Sequence, residues 1–328
     1  MKKLFSIVIP IYKNELNLPI TIPEIINAIP TLFADYRVEL ILVNDGSPDN
    51  SYSVMQKYQK EYPDIIRISS FTRNFGQSAA IYHGLSMAKG DVMGVISADL
   101  QDPFELFADM LKKWEEGSQL VCAVREDRNE RGLGVFFSKI THKMIRRFID
   151  RHYPEGGFDF YLMDASVRDA LLKIKEKNGQ PQVSLLWLGV PTSFIGYVRN
   201  KREVGKSGWT FARKFKLFID IFTTYSYLPL RIMSAIGCIC AIGAFLYGLY
   251  LFIAALVITE RDVPGWSALA VMITFFSGMI LLSLGIIGEY LWRIFDEVKR
   301  TPMYLVSHER KRADDNNPPE DGETQNDE

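Results

Sequence analysis

The sequence has few cysteines, no excess of charge of either sign and no internal repeat, and each absence excludes a class of protein. Its 328 residues carry 38 Lys and Arg against 39 Asp and Glu, a formal net charge of −1, so no global field predicts nucleic-acid binding. Three cysteines occur, at 122, 238 and 240, and their spacing predicts neither a metal site nor a disulfide framework. Such sparse cysteine suits a reducing compartment.

Two nucleotide-binding motifs are also missing. No G-x-G-x-x-G follows the first apolar run, FSIVIP, and no Walker lysine motif occurs in the chain. These motifs are the signatures of dinucleotide-binding oxidoreductases and of P-loop NTPases. The main sequence evidence for a dinucleotide-binding oxidoreductase or a P-loop NTPase is therefore absent.

Long hydrophobic runs are present, and both lie toward the C-terminal end. Residues 232–258 are 27 consecutive residues without a charge, and residues 266–288 are 23 more. About 20 apolar residues are needed to cross a bilayer as a helix, so each run is long enough. Because the short segment TERDVPG connects them, we predict a transmembrane hairpin with spans at about 232–258 and 266–290.

Cationic residues flank this hairpin on its two outer sides, whereas the connecting turn carries a single arginine beside two acids. By the positive-inside rule, the pattern predicts a multi-pass protein of the inner (plasma) membrane, with the N-terminal domain and both termini in the cytoplasm. The two apolar runs contain no charge, which is typical of an anchor. The acidic tail after Arg312 lacks aromatic residues and is predicted to be disordered.

The first 200 residues alternate short apolar segments rich in Val and Ile with segments of helical spacing. This alternation predicts an α/β domain with a mostly parallel sheet that is covered on both faces by helices. Ligands of such sheets bind at the carboxyl ends of the strands. Polar segments stand at four of those predicted ends: PIYKNE at 10–15, NDGSPD at 44–49, TRNFG at 72–76 and SADLQD at 97–102.

These four segments, in this order, resemble the family 2 glycosyltransferases with the GT-A (Rossmann-like) fold. With the two C-terminal spans, the resemblance narrows to the polyprenyl-phosphate glycosyltransferases. That group includes dolichol-phosphate mannose synthases and the bacterial enzymes that load glucose or aminoarabinose onto undecaprenyl phosphate. The resemblance covers roughly residues 4 to 300. It implies a GT-A domain at 1–208, an interfacial amphipathic helix at 209–227, the hairpin at 228–300 and a largely disordered cytoplasmic tail at 301–328.

The resemblance implies a donor pocket at the ends of the first three strands. In the family, the acid that matches Asp45 accepts hydrogen bonds from the uracil or ribose of the donor nucleotide, and Pro10, Tyr12 and Glu15 complete that pocket. The alternative for Asp45 is a structural role in an Asx-type turn, because DGSPD is rich in turn formers. Arg73 either faces the donor diphosphate or shapes its turn.

Asp99 and Gln101 resemble the metal-binding end of the family's D-x-D motif and the glutamine that follows it. They imply a divalent cation, Mg²⁺ or Mn²⁺, on the donor diphosphate, and a catalytic role for Asp99. The family has Asp where this chain has Ser97, and serine is a weaker, neutral ligand. The metal is then expected to bind less tightly or to recruit Asp102 or Asp159.

The segment GFDFYLMD at 157–164 resembles the family's G-D-F-R-L-M-D, which makes Asp159 the match of the family's essential acid and Tyr161 the match of its arginine. Asp159 is then a candidate catalytic base. A lipid phosphate has a second pKa of about 6 and needs little help in losing its proton. Asp159 could instead orient the acceptor or complete the metal shell, and its structural alternative is an acid at a helix N-terminus.

A phosphate acceptor requires cations, and the sequence places several between the strands and the hairpin. We expect Arg125, Lys139, Arg202 and Lys206 to bind the acceptor phosphate, because guanidinium and ammonium groups fit phosphate oxygens. The alternative is a basic face attracted to anionic lipid. The family's Ser-Lys is Ser207-Gly208 here, so its lysine role passes to Lys206.

The predicted function is inverting transfer of a monosaccharide from a nucleotide sugar, expected to be a UDP-hexose, to undecaprenyl phosphate or a related polyprenyl phosphate at the cytoplasmic membrane face. The predicted partners are these two substrates, the membrane and further copies of the chain, with a tetramer as one option. Two alternatives remain open. One is a catalytically impaired relative that acts as a membrane scaffold, and Ser97 is its motive. The other is a processive polysaccharide synthase, which would need more spans.

Overall fold

The structure is a computed structural model of the full chain. It describes residues 2–99, 101–125, 146, 154, 157–174, 180–198, 228–257, 265–299 and 301–307. The chain forms two compact units, one of residues 1–210 with 302–328 and one of residues 211–301.

Strands and helices alternate in the first unit, as the Val- and Ile-rich segments predict. The strands are β1 (Lys3–Ile11), β2 (Tyr36–Asn44), β3 (Ile66–Ser70), β4 (Val92–Val95), β5 (Leu120–Arg125), β6 (Phe160–Asp164) and β7 (Thr192–Tyr197). The helices are α1 (Leu18–Leu32), α2 (Ser51–Glu61), α3 (Gln77–Met87), α4 (Leu106–Glu115), α5 (Ala165–Lys173) and α6 (Pro181–Trp187). From β1 through β5, the order of strands and helices is the alternation that the sequence predicts.

The seven strands form one sheet in the order β3-β2-β1-β4-β6-β5-β7. All strand pairs are parallel except those of β6, which runs antiparallel to both β4 and β5. Six strands therefore end at one edge of the sheet, and β6 begins at that same edge. The mostly parallel α/β class predicted from the sequence is confirmed.

The core is apolar on both faces of the sheet, because helices cover both. An aromatic layer lies under α1 and α4: the Phe5 ring makes edge contacts with Phe33 and Phe107 at centroid distances of 5.3 and 5.2 Å, and Phe107 packs against Phe160 at 4.6 Å. All four side chains are at most 1% exposed. Burying each contributes about 1.5–3 kcal/mol, which fixes the sheet that carries the loops.

The second unit contains two long helices, α7 (Leu228–Val257) and α8 (Trp266–Val298). Within the described residues, stretches of these helices at Leu230–Tyr247 and Phe275–Val298 are long and apolar enough to cross a membrane. The predicted pair of apolar C-terminal helices is thus present. The predicted interfacial helix at 209–227 lies outside the described residues.

The first residues of the predicted disordered tail are ordered against the first unit. Val306 forms an antiparallel bridge with Phe71, immediately after β3. The backbone N–H of Thr72 donates to Leu305, and that of Ser307 donates to Ser70. We call residues 302–307 the edge segment, because it pairs with the backbone at the carboxyl end of the edge strand β3. The rest of the tail, 308–328, lies outside the described residues.

Candidate active site

The polar residues singled out from the sequence meet at the edge where the parallel strands end. Asp45 follows β2, Ser97 and Asp99 follow β4, and Arg125 is the last residue of β5. Asp159 immediately precedes β6, and it reaches the same edge because β6 runs against its neighbours. Parallel strands with one reversed member thus bring acids and a cation from distant parts of the chain to one edge.

Asp45 holds two of the edge loops together. Its two carboxylate oxygens accept hydrogen bonds from the backbone N–H groups of Phe75 at 2.7 Å and Gly76 at 2.9 Å. The residue is 3% exposed, and this burial raises the pKa of Asp45 although the two N–H groups act to lower it. The structural role of Asp45 is therefore a bridge to the loop after β3, more than a local Asx turn.

Gly46 permits the close approach of these two loops. It has a φ of +58°, in the left-handed region that favours glycine. A Cβ at this position would lie 2.2 Å from the backbone carbonyl carbon of Arg73. Both the conformation and the contact therefore require glycine, and the loops after β2 and β3 form one rigid structure.

The other donor-pocket candidates lie around this pair of loops. Tyr12 is 42% exposed, and Pro10 is half-buried at the end of β1. Glu15 accepts a hydrogen bond from the backbone N–H of Asn50 at 2.9 Å, so part of its carboxylate supports the start of α2. Arg73 is exposed and lies over the Phe75 ring at 4.8 Å, which leaves its guanidinium accessible to an anion.

Ser97 bridges two acids of the loop after β4. Its hydroxyl lies 2.8 Å from a carboxylate oxygen of Asp99 and 3.2 Å from one of Asp102. A hydroxyl has one proton, so it donates to one of the two carboxylates or shares the proton between them. Ser97 thus separates two acids with a donor, where an aspartate would add a third negative charge.

The donor set at this loop fits a divalent cation that is completed by substrate. Asp99 is half-buried, and Gln101, 9% exposed, lies beside it with its backbone N–H 3.5 Å from the Asp99 carboxylate. Among the described residues, no group of three or more His, Cys, Asp and Glu side chains could hold a metal ion. Asp102 and Asp159 are not assembled with Asp99 into such a group. Mg²⁺ commonly binds through one or two carboxylates plus substrate phosphates and water, which is the arrangement available here.

Arg125 and Asp159 form an ion pair. The Arg125 Nη2 atom lies 2.8 Å from Asp159 Oδ2, and the Gln182 amide donates to the other oxygen at 3.3 Å. The Asp159 side chain is 51% exposed, whereas that of Arg125 is 14% exposed. Burial acts against the charge of Arg125, but Asp159 and the Tyr197 phenol outweigh it, so the pKa of Arg125 is raised.

Comparison with known proteins identifies the family of the chain. The family model of glycosyl transferase family 2 matches residues 6–174. The chain belongs to glycosyl transferase family 2. The predicted enzyme class, a glycosyltransferase, is confirmed, and with it the GT-A type of α/β domain.

Relatives extend the similarity over the apolar helices. The uncharacterized glycosyltransferase YkcC of Bacillus subtilis is 37% identical over 306 residues, covering 92% of this chain and 93% of that protein. The bactoprenol glucosyl transferase of Shigella phage SfV is 33% identical over 315 residues, covering 94% and 99%. Among solved structures, glucosyl-3-phosphoglycerate synthase from Mycobacterium tuberculosis is 17% identical with a TM-score of 0.49, covering 68% of this chain and 80% of that one.

The sequence singled out four further positions that the structure does not place at this sheet edge. Lys139, Arg202 and Lys206 are outside the described residues, so their predicted contact with an acceptor phosphate stays a prediction. Tyr161, at the position of the family's arginine, is fully enclosed in the domain, and burial raises the pKa of its phenol. It does not replace an arginine at the sheet edge. The structural alternative for Asp159 is wrong, because a strand and not a helix follows it.

Sequence reasoning missed Tyr197 as a site residue. Tyr197 ends β7, and its phenol accepts a hydrogen bond from Arg125 Nε at 3.2 Å and donates one to Asp102 Oδ1 at 2.5 Å. Within its strand, TSFIGY, it is indistinguishable from a core aromatic residue, and it is indeed only 6% exposed. One signal was available: it is a polar-tipped residue at the carboxyl end of a strand.

Proposed function

We propose that this glycosyltransferase moves a monosaccharide, with inversion, from a UDP-hexose to undecaprenyl phosphate or a related polyprenyl phosphate. The single observation that carries the proposal is the meeting of two unlike halves at one sheet edge. One half, around Asp45 and Asp99, suits a nucleotide diphosphate, and the other, around Arg125 and Asp159, suits a phosphate acceptor. The relatives named bactoprenol glucosyl transferases support the choice of acceptor.

In the donor half, the loops joined by Asp45 form the floor on which the nucleotide lies. Tyr12 and Arg73 are exposed beside it, where a ring and a guanidinium can contact base and phosphate. Asp99 and Gln101 would hold a divalent cation, Mg²⁺ or Mn²⁺, which neutralises charge on a leaving diphosphate. Ser97 keeps the Asp99 carboxylate oriented by its hydrogen bond.

In the acceptor half, Arg125 presents its guanidinium at the edge of the sheet. A prenyl phosphate is largely dianionic near pH 7, because its second pKa is about 6. Arg125 binds such a phosphate through bidentate hydrogen bonds, and the phosphate oxygen then attacks the anomeric carbon on the face opposite the departing diphosphate. Since the nucleophile is already deprotonated, no base is needed, and Asp159 acts by orienting Arg125 through their ion pair until the phosphate takes its place.

The chain's connectivity supports a location at a membrane face. The strands β1 to β7, which precede α7 in the chain, and the edge segment, which follows α8, both belong to the first compact unit. A two-helix hairpin whose flanking segments join one domain has both outer ends on the same side of a bilayer. Because cationic residues flank the hairpin, we propose that this side is the cytoplasm. The two helices then anchor the enzyme beside its lipid substrate. Further copies of the chain can pack against the same helices.

The test is transfer by the full-length protein purified in detergent. UDP-glucose, UDP-N-acetylglucosamine and GDP-mannose, each radiolabelled, are incubated with undecaprenyl phosphate and Mg²⁺ or Mn²⁺. We expect one donor to label the lipid, a β-linked product from an α-linked donor, and loss of product in D99A. Removal of the cation with EDTA is expected to have the same result as D99A.

The other outcomes separate the alternatives. Donor binding by calorimetry without transfer to any prenyl phosphate would favour the scaffold. A polymeric product would favour the processive synthase. Transfer that is unchanged in D99A would contradict the proposed role of the loop after β4.

A further inference from the structure

A buried carboxylate lies between the two halves of the site. Asp102 is 1% exposed, and each of its oxygens has a hydroxyl group within hydrogen-bond distance. The Tyr197 phenol donates to Oδ1, and the Ser97 hydroxyl lies 3.2 Å from Oδ2. A fully enclosed carboxylate with such partners is not placed to contact substrate, and its cost of burial is offset by these charge-assisted hydrogen bonds.

Tyr197 connects this carboxylate to Arg125. The two residues face each other in the register of β5 and β7, so the contact follows from strand pairing. Because the phenol proton is directed to Asp102, the phenol oxygen is left to accept from Arg125 Nε at 3.2 Å. Arg125 Nε also lies 4.0 Å from Asp102 Oδ1. The inner side of the guanidinium is thereby fixed, and its outer side faces Asp159.

We propose that Tyr197 and Asp102 are positioning residues that hold Arg125 in the orientation in which it takes the acceptor phosphate. The inference rests on the proposed function and deepens it, because it states which buried groups set the acceptor half. Tyr197 and Asp102 do not touch the substrate themselves. They act through the Nε atom of Arg125. This atom keeps its hydrogen bond to the Tyr197 phenol when the two terminal nitrogens of the guanidinium release Asp159 and bind the phosphate.

The energetic reason is the freedom of an arginine side chain. Ordering a long side chain such as arginine costs rotamer entropy, more than for most other residues. In this fold the ordering is done before the acceptor arrives, by a phenol that is rigid within the core and by a carboxylate that cannot leave it. A site whose binding group is already oriented loses less free energy on binding, which is the benefit of such supporting residues.

The first experiment removes the phenolic hydroxyl and leaves the ring in place. In Y197F, we expect the KM for undecaprenyl phosphate to rise about tenfold, since a hydrogen bond to a charged group contributes about 1.5–3 kcal/mol. The KM for the nucleotide sugar is expected to stay unchanged. The matched control is Y36F, because the Tyr36 hydroxyl also donates to a carboxylate, that of Glu115, but at the opposite end of the sheet.

A second experiment asks whether Tyr197 acts through Arg125. The Y197F change is made again in an R125M background, whose side chain has no N–H group for the phenol to orient. We expect Y197F to have no further effect there, which is the non-additivity of two residues in one network. Equal fold-changes in both backgrounds would overturn the proposal, because a merely structural tyrosine weakens the site whether or not Arg125 is present. D102N, which keeps an acceptor for the phenol, is expected to retain more activity than D102A.

A binding measurement keeps this test separate from that of the proposed function. Affinity for farnesyl phosphate is measured by calorimetry on the detergent-solubilised full chain without any donor. An affinity about tenfold lower in Y197F than in Y36F supports the positioning role even if no sugar is transferred. Equal affinities in the two variants contradict it, even if transfer to undecaprenyl phosphate succeeds.

Discussion

The two halves of the site are built by different kinds of contact. The donor half is fixed through backbone groups: the amides of Phe75 and Gly76 bind the Asp45 carboxylate, and Gly46 allows two loops to touch. The acceptor half is fixed through side chains, which form a chain of hydrogen bonds and an ion pair from Asp102 through Tyr197 and Arg125 to Asp159.

The difference shows how each half responds to its ligand. Backbone contacts cannot exchange partners without unfolding a loop, so the donor half is preformed. Side-chain pairs such as Arg125 with Asp159 can exchange one anion for another, because the guanidinium carries several donors and one carboxylate is half-exposed. In the proposed function, the rigid half holds the nucleotide and the exchangeable half receives the phosphate.

The largest effect on donor binding is expected when a methyl group is added between the loops that follow β2 and β3. In G46A, the new Cβ meets the Arg73 backbone, and the left-handed φ adds strain, so we expect donor binding to be lost and the thermal midpoint to fall. The matched control is G189A, because Gly189 has a φ of +64° and no atom within 4 Å of the added Cβ. If G46A and G189A behave alike, close approach of the loops does not determine the pocket.

The next effect tests whether Asp159 is a base. A general base contributes about 10²–10⁴-fold to a rate, whereas an acid that orients a neighbouring cation contributes less. We therefore expect D159N to lower kcat less than about a hundredfold. The measurement is the steady-state rate across pH in the wild type and D159N. A larger loss, together with disappearance of an acidic limb in the pH profile, would establish the base instead.

A smaller effect is expected when Asp45 can no longer accept two hydrogen bonds. In D45N, the amide nitrogen faces a backbone N–H, which leaves a buried donor unsatisfied at a cost of about 1–3 kcal/mol. We expect the KM for the nucleotide sugar to rise about tenfold, with the KM for the lipid unchanged. The control is D91N, since the Asp91 carboxylate also accepts a backbone hydrogen bond, from Leu4 at 2.7 Å, but at the opposite end of the sheet. A rise in the lipid KM instead would contradict the division into two halves.

We expect the raised pKa of Asp45 to affect how the stability of the protein depends on pH. Burial raises the pKa of Asp45 in the folded chain above its unfolded value of about 3.9, so the folded state takes up this proton at the higher pH. The free energy of unfolding of the wild type should then rise, relative to D45N, as pH falls through the raised pKa. Thermal unfolding of both proteins over a pH series measures the difference. A constant difference would show that Asp45 has the same pKa in both states.

The smallest effect is expected at the outer edge of the donor half. The Tyr304 ring stacks on Phe71 at 4.8 Å and contacts His83 at 4.7 Å. Aromatic contacts of this kind contribute about 0.5–1.5 kcal/mol beyond buried area, so we expect Y304A to destabilise the domain by about 1–2 kcal/mol. The control is L305A, because the Leu305 side chain is 54% exposed. Equal midpoints for the two variants would show that the edge segment does not stabilise the domain.

The sequence predicted the strands up to β5 and the acids that follow them, because hydrophobic periodicity and polar strand ends are local signals. It did not predict that β6 is antiparallel, although this reversal is what brings Asp159 to the edge. Tyr197 was not predicted to be a site residue. Asp102 was predicted only as an auxiliary metal ligand. Their contact joins residues 95 positions apart, and it depends on how β7 is placed in the sheet, which no local pattern specifies.

The edge segment has a consequence for making and handling the protein. An uncovered outer strand offers unpaired backbone groups to other polypeptides, and such strands promote aggregation. Here residues 302–307 occupy part of that strand from within the same chain. A chain truncated directly after α8 would leave this edge uncovered, whereas a purification tag placed after residue 328 leaves the natural cover intact.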